Sequence, residues 1–224
     1  MAEWFEAEQL VDDPGRRFNV APTDPVSIVV EKDDRRAITA YRWGLVPFWA
    51  KDKSIGSRMI NARAETLATN NAFRDSFEHR RCLVPADGFY EWRRGPKPRM
   101  PLWFHRADGR LLLMAGLYQD VSAAAGASEG PVRRFVVLTT TANDVVAPVH
   151  DRMPAILMPD QVDAWLAAPA PALLQPAPAG VLVATPVSDR VNSVKNDDPG
   201  CLAPPEAEGG GDNKGKQLRL FDPI

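Results

Sequence analysis

The 224 residues are 45% hydrophobic and 25% charged, the composition of a soluble globular chain long enough for one large domain or two small ones. No run reaches the roughly 20 apolar residues that span a bilayer, and the acidic start has no basic region followed by an apolar run, so neither a membrane span nor a secretion signal is read. A net charge of −2 excludes a generally basic nucleic-acid coat, and two distant cysteines, Cys82 and Cys201, outside any CxxC or Cys/His cluster, give no zinc motif, imply no cofactor and fit a reducing, cytoplasmic setting.

In chain order, residues 2–10 read as a short helix that Pro14-Gly15 ends. Residues 26–31 and 37–43 read as the two strands of a hairpin around a polar turn at 32–36. Residues 43–49 form an aromatic loop punctuated by Gly44 and Pro47, and residues 64–77 have helical composition with a break at Asn70-Asn71. Strands are expected at 81–84 and 89–92, on either side of Pro85–Gly88, and a further strand pair at 101–105 and 111–119 across the Asp108-Gly109 turn. Residues 122–130 are small and read as an exposed loop, and 133–140 as a β-branched strand. Residues 160–166 are helical, with Asp160 as cap and Val162, Trp165 and Leu166 on one face. The Pro/Ala alternation of 169–178 is irregular, 181–187 is a last strand, and the chain is expected to fray after Asp197. Many strands with few helices argue for an α+β fold around a mainly antiparallel, barrel-like sheet with a few flanking helices.

Acidic residues crowd the start (Glu3, Glu6, Glu8), whereas the middle is rich in arginine, notably Arg74, Arg80, Arg81, Arg93, Arg94 and Arg99. Such a basic face either holds phosphates or is simply solvated surface. Three polar residues stand out in short blocks of turn and aromatic residues. Glu91 lies between Tyr90 and Trp92; pointing inward it is desolvated, which raises a carboxyl pKa toward the range of a general acid/base, and pointing outward it merely solvates the strand. His150 precedes Asp151-Arg152 between Pro148 and Pro154, and is either a proton carrier or a satisfied structural histidine. Asn61 either caps the helix expected after it or aims its amide at a polarised oxygen. Arg63 and Arg152 are candidates for phosphate clamps or for surface salt bridges. Trp43, Phe48 and Trp49 either stack on unpaired bases or seal a core edge.

These residues sit in blocks that resemble the SRAP family, the SOS-response-associated peptidases or abasic-site processing proteins. The blocks are Arg17-Phe18-Asn19-Val20-Ala21-Pro22-Thr23, Trp43-Gly44-Leu45-Val46-Pro47-Phe48-Trp49, Ile60-Asn61-Ala62-Arg63-Ala64-Glu65-Thr66, the run from Arg81 to Trp92, His150-Asp151-Arg152-Met153-Pro154 and Ser193-Val194-Lys195-Asn196. The resemblance runs in family order from about residue 3 to residue 203. It implies a single SRAP domain over residues 1–203 with a flexible tail at 204–224. It implies a monomer that senses abasic sites in single-stranded DNA, cytoplasmic and associated with the nucleoid when bound. The implied chemistry is a thiazolidine crosslink between the ring-opened sugar aldehyde and an N-terminal cysteine, exposed when the protein removes its own initiator methionine. In that scheme Asn61 orients the sugar or the N-terminal residue, Glu91 shuttles protons, and His150 assists proton transfer and reversal. Arg63 and Arg152 grip phosphates, while Trp43, Phe48 and Trp49 form the aromatic contact with DNA. The family opens Met-Cys-Gly-Arg ahead of a helix, whereas this chain opens Met1-Ala2-Glu3-Trp4-Phe5, which resembles that helix. The expectation is therefore that the nucleophilic cysteine and its strand are absent from these 224 residues, leaving either an upstream start or a non-covalent binder of abasic strands. Peptidase action on other proteins has no Ser/His/Asp triad or zinc motif to support it.

Overall fold

Alternation of apolar residues on both faces of the long strands sets the architecture. The computed structural model describes residues 2–10, 15–33, 35–47, 53–93, 99–121 and 132–206. Strands β2 (Pro25–Lys32) and β3 (Arg35–Trp43) form the expected hairpin, paired from Pro25↔Arg42 to Lys32↔Arg35. β2 pairs antiparallel with β5 (Arg81–Ala86), β5 with β8 (Leu112–Val121), and β8 with β9 (Val132–Thr141). A parallel contact of Arg42↔Arg134 and Trp43↔Phe135 then joins β9 back to β3 and closes the sheet into a ring. β1 (Glu8–Gln9), β4 (Asn61–Arg63) and β10 (Arg152–Pro154) complete this sheet. A second, three-stranded sheet has the order β11-β7-β6, from β6 (Gly88–Trp92), β7 (Pro101–Arg106) and β11 (Leu182–Pro186).

The mainly antiparallel, ring-like sheet with few short helices is the fold class expected from the sequence. Several elements differ in detail. The expected helix over 2–10 is only α1 (Ala2–Phe5); Glu6 turns left-handed at φ 51°, and Glu8–Gln9 extends to pair in parallel with β3. A four-residue helix has little stability of its own, and an unpaired strand edge offers backbone partners instead. The helix expected over 64–77 is reduced to a 3-10 turn at Ala64–Thr66 and α2 (Arg74–His79). Asn70 breaks it as expected, its side chain accepting a 2.9 Å bond from the Ala72 amide. β7 and β8 are not paired with each other across Asp108-Gly109; β7 joins β6 and β11, and β8 joins β5 and β9. The chain leaves the first sheet at Asp87-Gly88, where only glycine passes, since a Cβ there would stand 2.2 Å from the Trp103 indole nitrogen. α3 (Val162–Ala167) buries Val162, Trp165 and Leu166 as expected, but Asp160 does not cap it. Asp160 lies in a preceding 3-10 turn, Pro159–Gln161, where the Gln161 side chain accepts from the Met158 amide at 2.9 Å. Order also persists past Asp197: a 3-10 turn at Pro199–Leu202 buries Cys201 under the Asp198 cap. The expected loop at 122–130 and most of the tail lie outside the described residues.

Two apolar layers result. One packs Phe5, Phe77, Trp165 and Leu166 of the helices on Val29, Leu83, Leu117 and Leu138. The other packs Phe89, Leu102 and Phe104 of the second sheet on Ile28, Val84, Met114, Phe135 and Val137. Arg81 holds the helical layer. Its guanidinium is buried and donates to Phe77 O and Glu78 O at the end of α2 and to Trp165 O and Leu166 O at the end of α3, at 2.6–3.1 Å. Burial pulls its pKa down, and the carbonyl ends of two helices provide the negative field that keeps it charged. Arg81→Ala should destabilise the protein by about 3 kcal/mol through four stranded carbonyls. Arg81→Lys should recover only part of this, because an ammonium cannot span both helix ends. Urea unfolding at constant slope measures both.

Candidate active site between the two sheets

β9 positions most of the candidate residues. β4 pairs with it in parallel, Asn61↔Val137, Ala62↔Leu138 and Arg63↔Thr139, so paired residues share a face. Val137 belongs to the layer under the second sheet, while Ala62 and Leu138 belong to the helical layer. Asn61 and Arg63 therefore project toward the second sheet. Asn61 is a strand residue, not the helix cap that local sequence allows, because β9 offers it a backbone partner. Both polar atoms of its amide are buried and have no hydrogen-bond partner among the described residues. Such a group costs about 1–3 kcal/mol, and its neighbour Ile60 lines a cavity.

Glu91 sits on β6 opposite Leu102. It shares a face with Phe89, whose ring stacks on Phe104 at 5.2 Å, whereas Tyr90 and Trp92 point the other way, toward Val187, Val191 and Cys201. At 1% exposure it points inward, which decides between the two readings of its strand. The face of β6 that carries Glu91 and the face of β4 that carries Asn61 thus front the same interlayer space. A cavity of about 910 Å³ lies beside that space, walled by Trp43, Ile60, Val137 and Phe89 and continuing past Tyr90, Trp92 and Trp103 on the other face of the second sheet; Asn61 and Glu91 are each next in sequence to lining residues but are not among them. The Trp43 indole is 7% exposed and donates to Ile60 O at 2.8 Å, so it anchors the entry to β4 while its ring borders the cavity. Phe48 and Trp49 lie outside the described residues.

His150 and Arg152 arrive from the other edge of β9, where Arg152 pairs with Thr141. Asn143 shapes the approach: its side chain accepts from the Val145 and Val146 amides at 3.2 and 3.1 Å and donates to Ala177 O at 3.1 Å. His150 is buried, and the Arg152 main-chain N–H donates to its Nδ1 at 2.9 Å. In that contact Nδ1 accepts, as in a neutral ring with its proton on Nε2; Nδ1 also stands 3.3 Å from Arg152 O and 3.3 Å from the Asp151 carboxylate, acceptors that a protonated Nδ1 would meet instead. Arg63 and Arg152 differ sharply. Arg63 is exposed and makes no ion pair among the described residues. Arg152 is forked onto Glu65 at 2.6 and 2.9 Å and also donates to Thr139 O at 2.6 Å. Its guanidinium straps β10 across β9 to the turn after β4. The Arg152 fork holds the Glu65 carboxyl below the usual glutamate range.

Sequence reasoning missed Glu65, Thr139 and a clasp between distant segments. Asp197 accepts the amides of Phe18 and Asn19 at 2.6 and 2.9 Å and pairs with Arg17, which also reaches Asp24 at 2.8 Å. The buried Asn19 amide donates to Val191 O, Ser193 O and Asn196 O at 3.0–3.2 Å. Asn19, Ser193 and Asn196 fall within recognised sequence blocks, but their pairing across more than 170 positions has no local signal.

Chemically, the candidates are a buried amide, a buried carboxyl and a buried imidazole, with one exposed guanidinium two residues after the amide on β4. Proton transfer on a polar, anionic substrate is within their means. Comparison with known proteins places the chain among relatives. The family model for SOS response associated peptidase (SRAP) matches residues 1–194. The abasic site processing protein YoqW of Bacillus subtilis (strain 168) is 38% identical over 189 residues, 81% of this chain and 83% of that protein. The abasic site processing protein YedK of Escherichia coli (strain K12) is 32% identical over 167 residues, 74% of this chain and 72% of that one. A crystal structure of a protein from Bordetella bronchiseptica superposes with a TM-score of 0.70 at 29% identity, covering 84% of this chain and 94% of that one. A structure from Bacteroides thetaiotaomicron gives 0.69 at 26% identity, covering 81% and 82%.

Asn61→Leu, close to isosteric and apolar, should stabilise the fold by about 1 kcal/mol, since it removes an unpaired buried amide. Equal or lower stability in thermal unfolding would show that the amide is satisfied in solution. Glu65 has a depressed folded pKa, so its contribution is present above the unfolded value and lost as pH falls through the folded one. Glu65→Gln should accordingly flatten the fall in stability below about pH 4.3, as read from urea midpoints between pH 3 and 6.

Proposed function

The chain belongs to the SOS response associated peptidase (SRAP) family, and on that premise we propose that it is an abasic-site processing protein that takes single-stranded DNA at the inter-sheet cavity. The observation that carries this reading is the Asn61 amide, buried without a partner and facing the layer that holds Glu91. A ring-opened abasic sugar supplies what the Asn61 amide lacks, an aldehyde oxygen, and offers protons for the Glu91 carboxyl to move. Asn61 orients that oxygen. Glu91 accepts and returns protons as the sugar opens and an amine adds. His150, with its proton on Nε2, serves as donor at the sugar. Arg63 takes a flanking phosphate, and Phe48 and Trp49 contact the neighbouring bases. Arg152, engaged by Glu65, holds the strand that carries His150 and meets phosphate only by leaving that fork.

Covalent capture requires one residue that presents both an α-amine and a thiol. The amine condenses with the aldehyde and releases one water; the thiol then adds across the C=N bond and closes a thiazolidine. Cys82 and Cys201 are both buried and neither bears an α-amine. Burial also raises the Cys82 thiol far out of its usual range. Neither Cys82 nor Cys201 is therefore the residue that closes such a ring.

Fluorescence anisotropy with matched abasic and intact single strands tests this directly. The 224-residue chain should prefer the abasic strand. Asn61→Leu and Glu91→Gln should each reduce that preference about tenfold, the worth of roughly 1.4 kcal/mol. Arg63→Ala should weaken both strands alike. Equal affinity of the unaltered chain for the two strands would sink the reading.

A further inference from the structure

Ser193-Val194-Lys195-Asn196 is a recognised block to which the proposed chemistry gives no task. It forms the turn after the 3-10 segment Asp189–Asn192, at the mouth of the inter-sheet cavity, where Ser193, Val194 and Lys195 all contribute to the lining. Val194 is 66% exposed, unusual for a β-branched apolar residue on a short turn. Flexibility does not account for it, because the turn is clamped from within. The buried Asn19 amide takes the carbonyls of Val191, Ser193 and Asn196, the Asn196 amide closes on Ser193 O at 2.9 Å, and its side chain donates to Arg190 O at 2.8 Å. Asp197 fixes the next residue to the Phe18 and Asn19 amides. Burying an asparagine to immobilise three carbonyls, while leaving a valine and a lysine outside, is how a fold presents side chains to a partner.

The charge around the turn identifies that partner. Lys195 makes no ion pair among the described residues, and Arg16, on the same rim, lies over the Phe18 ring at 5.5 Å rather than on a carboxylate. Of the charged residues lining the cavity, Arg16, Arg17 and Lys195 are cationic and Asp87 is acidic. Half-exposed aromatic rings, Tyr90, Trp92 and Trp103, line the same wall. Cations interleaved with aromatic faces along one groove match a single strand, whose phosphates repeat beside bases with π-faces.

We propose that the Ser193–Asn196 turn is a second strand-holding element, in which Lys195 takes a backbone phosphate and Val194 packs against the adjoining sugar or base. It rests on the single-stranded DNA reading above and adds a contact on the cavity rim, distinct from Arg63, which does not line the cavity. The strand is then held at two points, with the abasic position between them. Two separated phosphate contacts fix the register of a flexible strand, which one contact leaves free to slide.

The salt dependence of binding isolates this contact. On a single strand each neutralised phosphate contributes about 0.7 to the slope of log K against log salt. Lys195→Ala should lower the slope by about that amount and weaken intact and abasic strands alike, about threefold to tenfold near 0.1 M salt. Val194→Asp should weaken binding at least as much, and Arg74→Ala, on the helical side of the molecule, should leave the slope unchanged. These are surface changes, and unaltered thermal unfolding confirms the fold. A normal slope and affinity for Lys195→Ala, in a protein whose binding still falls with Arg63→Ala, would overturn this inference alone. Absence of single-strand binding by the unaltered chain would overturn both readings together.

Discussion

The site depends on β9 having both of its edges paired. One edge carries β8 and then β10; the other carries β3 and then β4. Because β4 runs parallel in register Asn61↔Val137, a shift of one residue would turn Asn61 and Arg63 into the helical layer and bring Ala62 outward. The same strand aligns Arg152 with Thr141 on its far edge. A guanidinium from one edge and a carboxylate from the turn beyond the other, Arg152 and Glu65, then meet across the end of β9. The fork is a strap that the register makes possible, and in turn it opposes slippage of β10, whose first residue donates its main-chain N–H to His150.

The second sheet supplies the opposing wall, and its construction explains why a carboxyl survives in the core. β6 is only five residues long and is flanked by an aromatic face on each side. Phe89 and Glu91 occupy the two inward positions of β6. Burying the Asn61 amide without a partner is unfavourable for stability taken alone. Proteins retain such a group where a ligand supplies the missing partner. Stability and function are therefore expected to pull in opposite directions at position 61, whereas at Arg81, whose guanidinium makes four hydrogen bonds to helix-end carbonyls, they do not.

The long strands were legible because their composition is: β2, β5, β8 and β9 each carry runs of β-branched or aliphatic residues. The polar candidates were legible as residue types, and Glu91 among aromatics is the clearest. What could not be read was orientation and pairing. Asn61 followed by Ala62-Arg63-Ala64 has the local look of a helix start, and no short-range rule reveals that β9 competes for its backbone. Asp108-Gly109 has the look of a hairpin, yet the strands it joins belong to different sheets, because β7 finds β6 and β11 instead. Arg63 and Arg152 are alike as sequence candidates; their difference arises from Glu65, 87 residues away from Arg152.

The clasp between the two ends of the described chain bears on how the site is assembled. Asp197 lies about 180 positions from Arg17, Phe18 and Asn19, so the contact closes nearly the longest loop available. Such contacts form after the local ones that make them worthwhile, which here are the hairpin β2–β3 and the second sheet. Burial alone would raise the Asp197 carboxyl, but the Phe18 and Asn19 amides and Arg17 outweigh it and hold the group below its usual range. The clasp is therefore complete at neutral pH and loosens only in acid. The two flanks of the cavity mouth, the loop at 15–24 and the turn at 193–196, are fixed to each other, and the loop is also tied to β3 through Thr23 and Asp24 and to β6 through the Tyr90 hydroxyl. The opening is set late in folding, by the same bonds that hold Val194 and Lys195 outward, so its shape and the presentation of those side chains are one structural property.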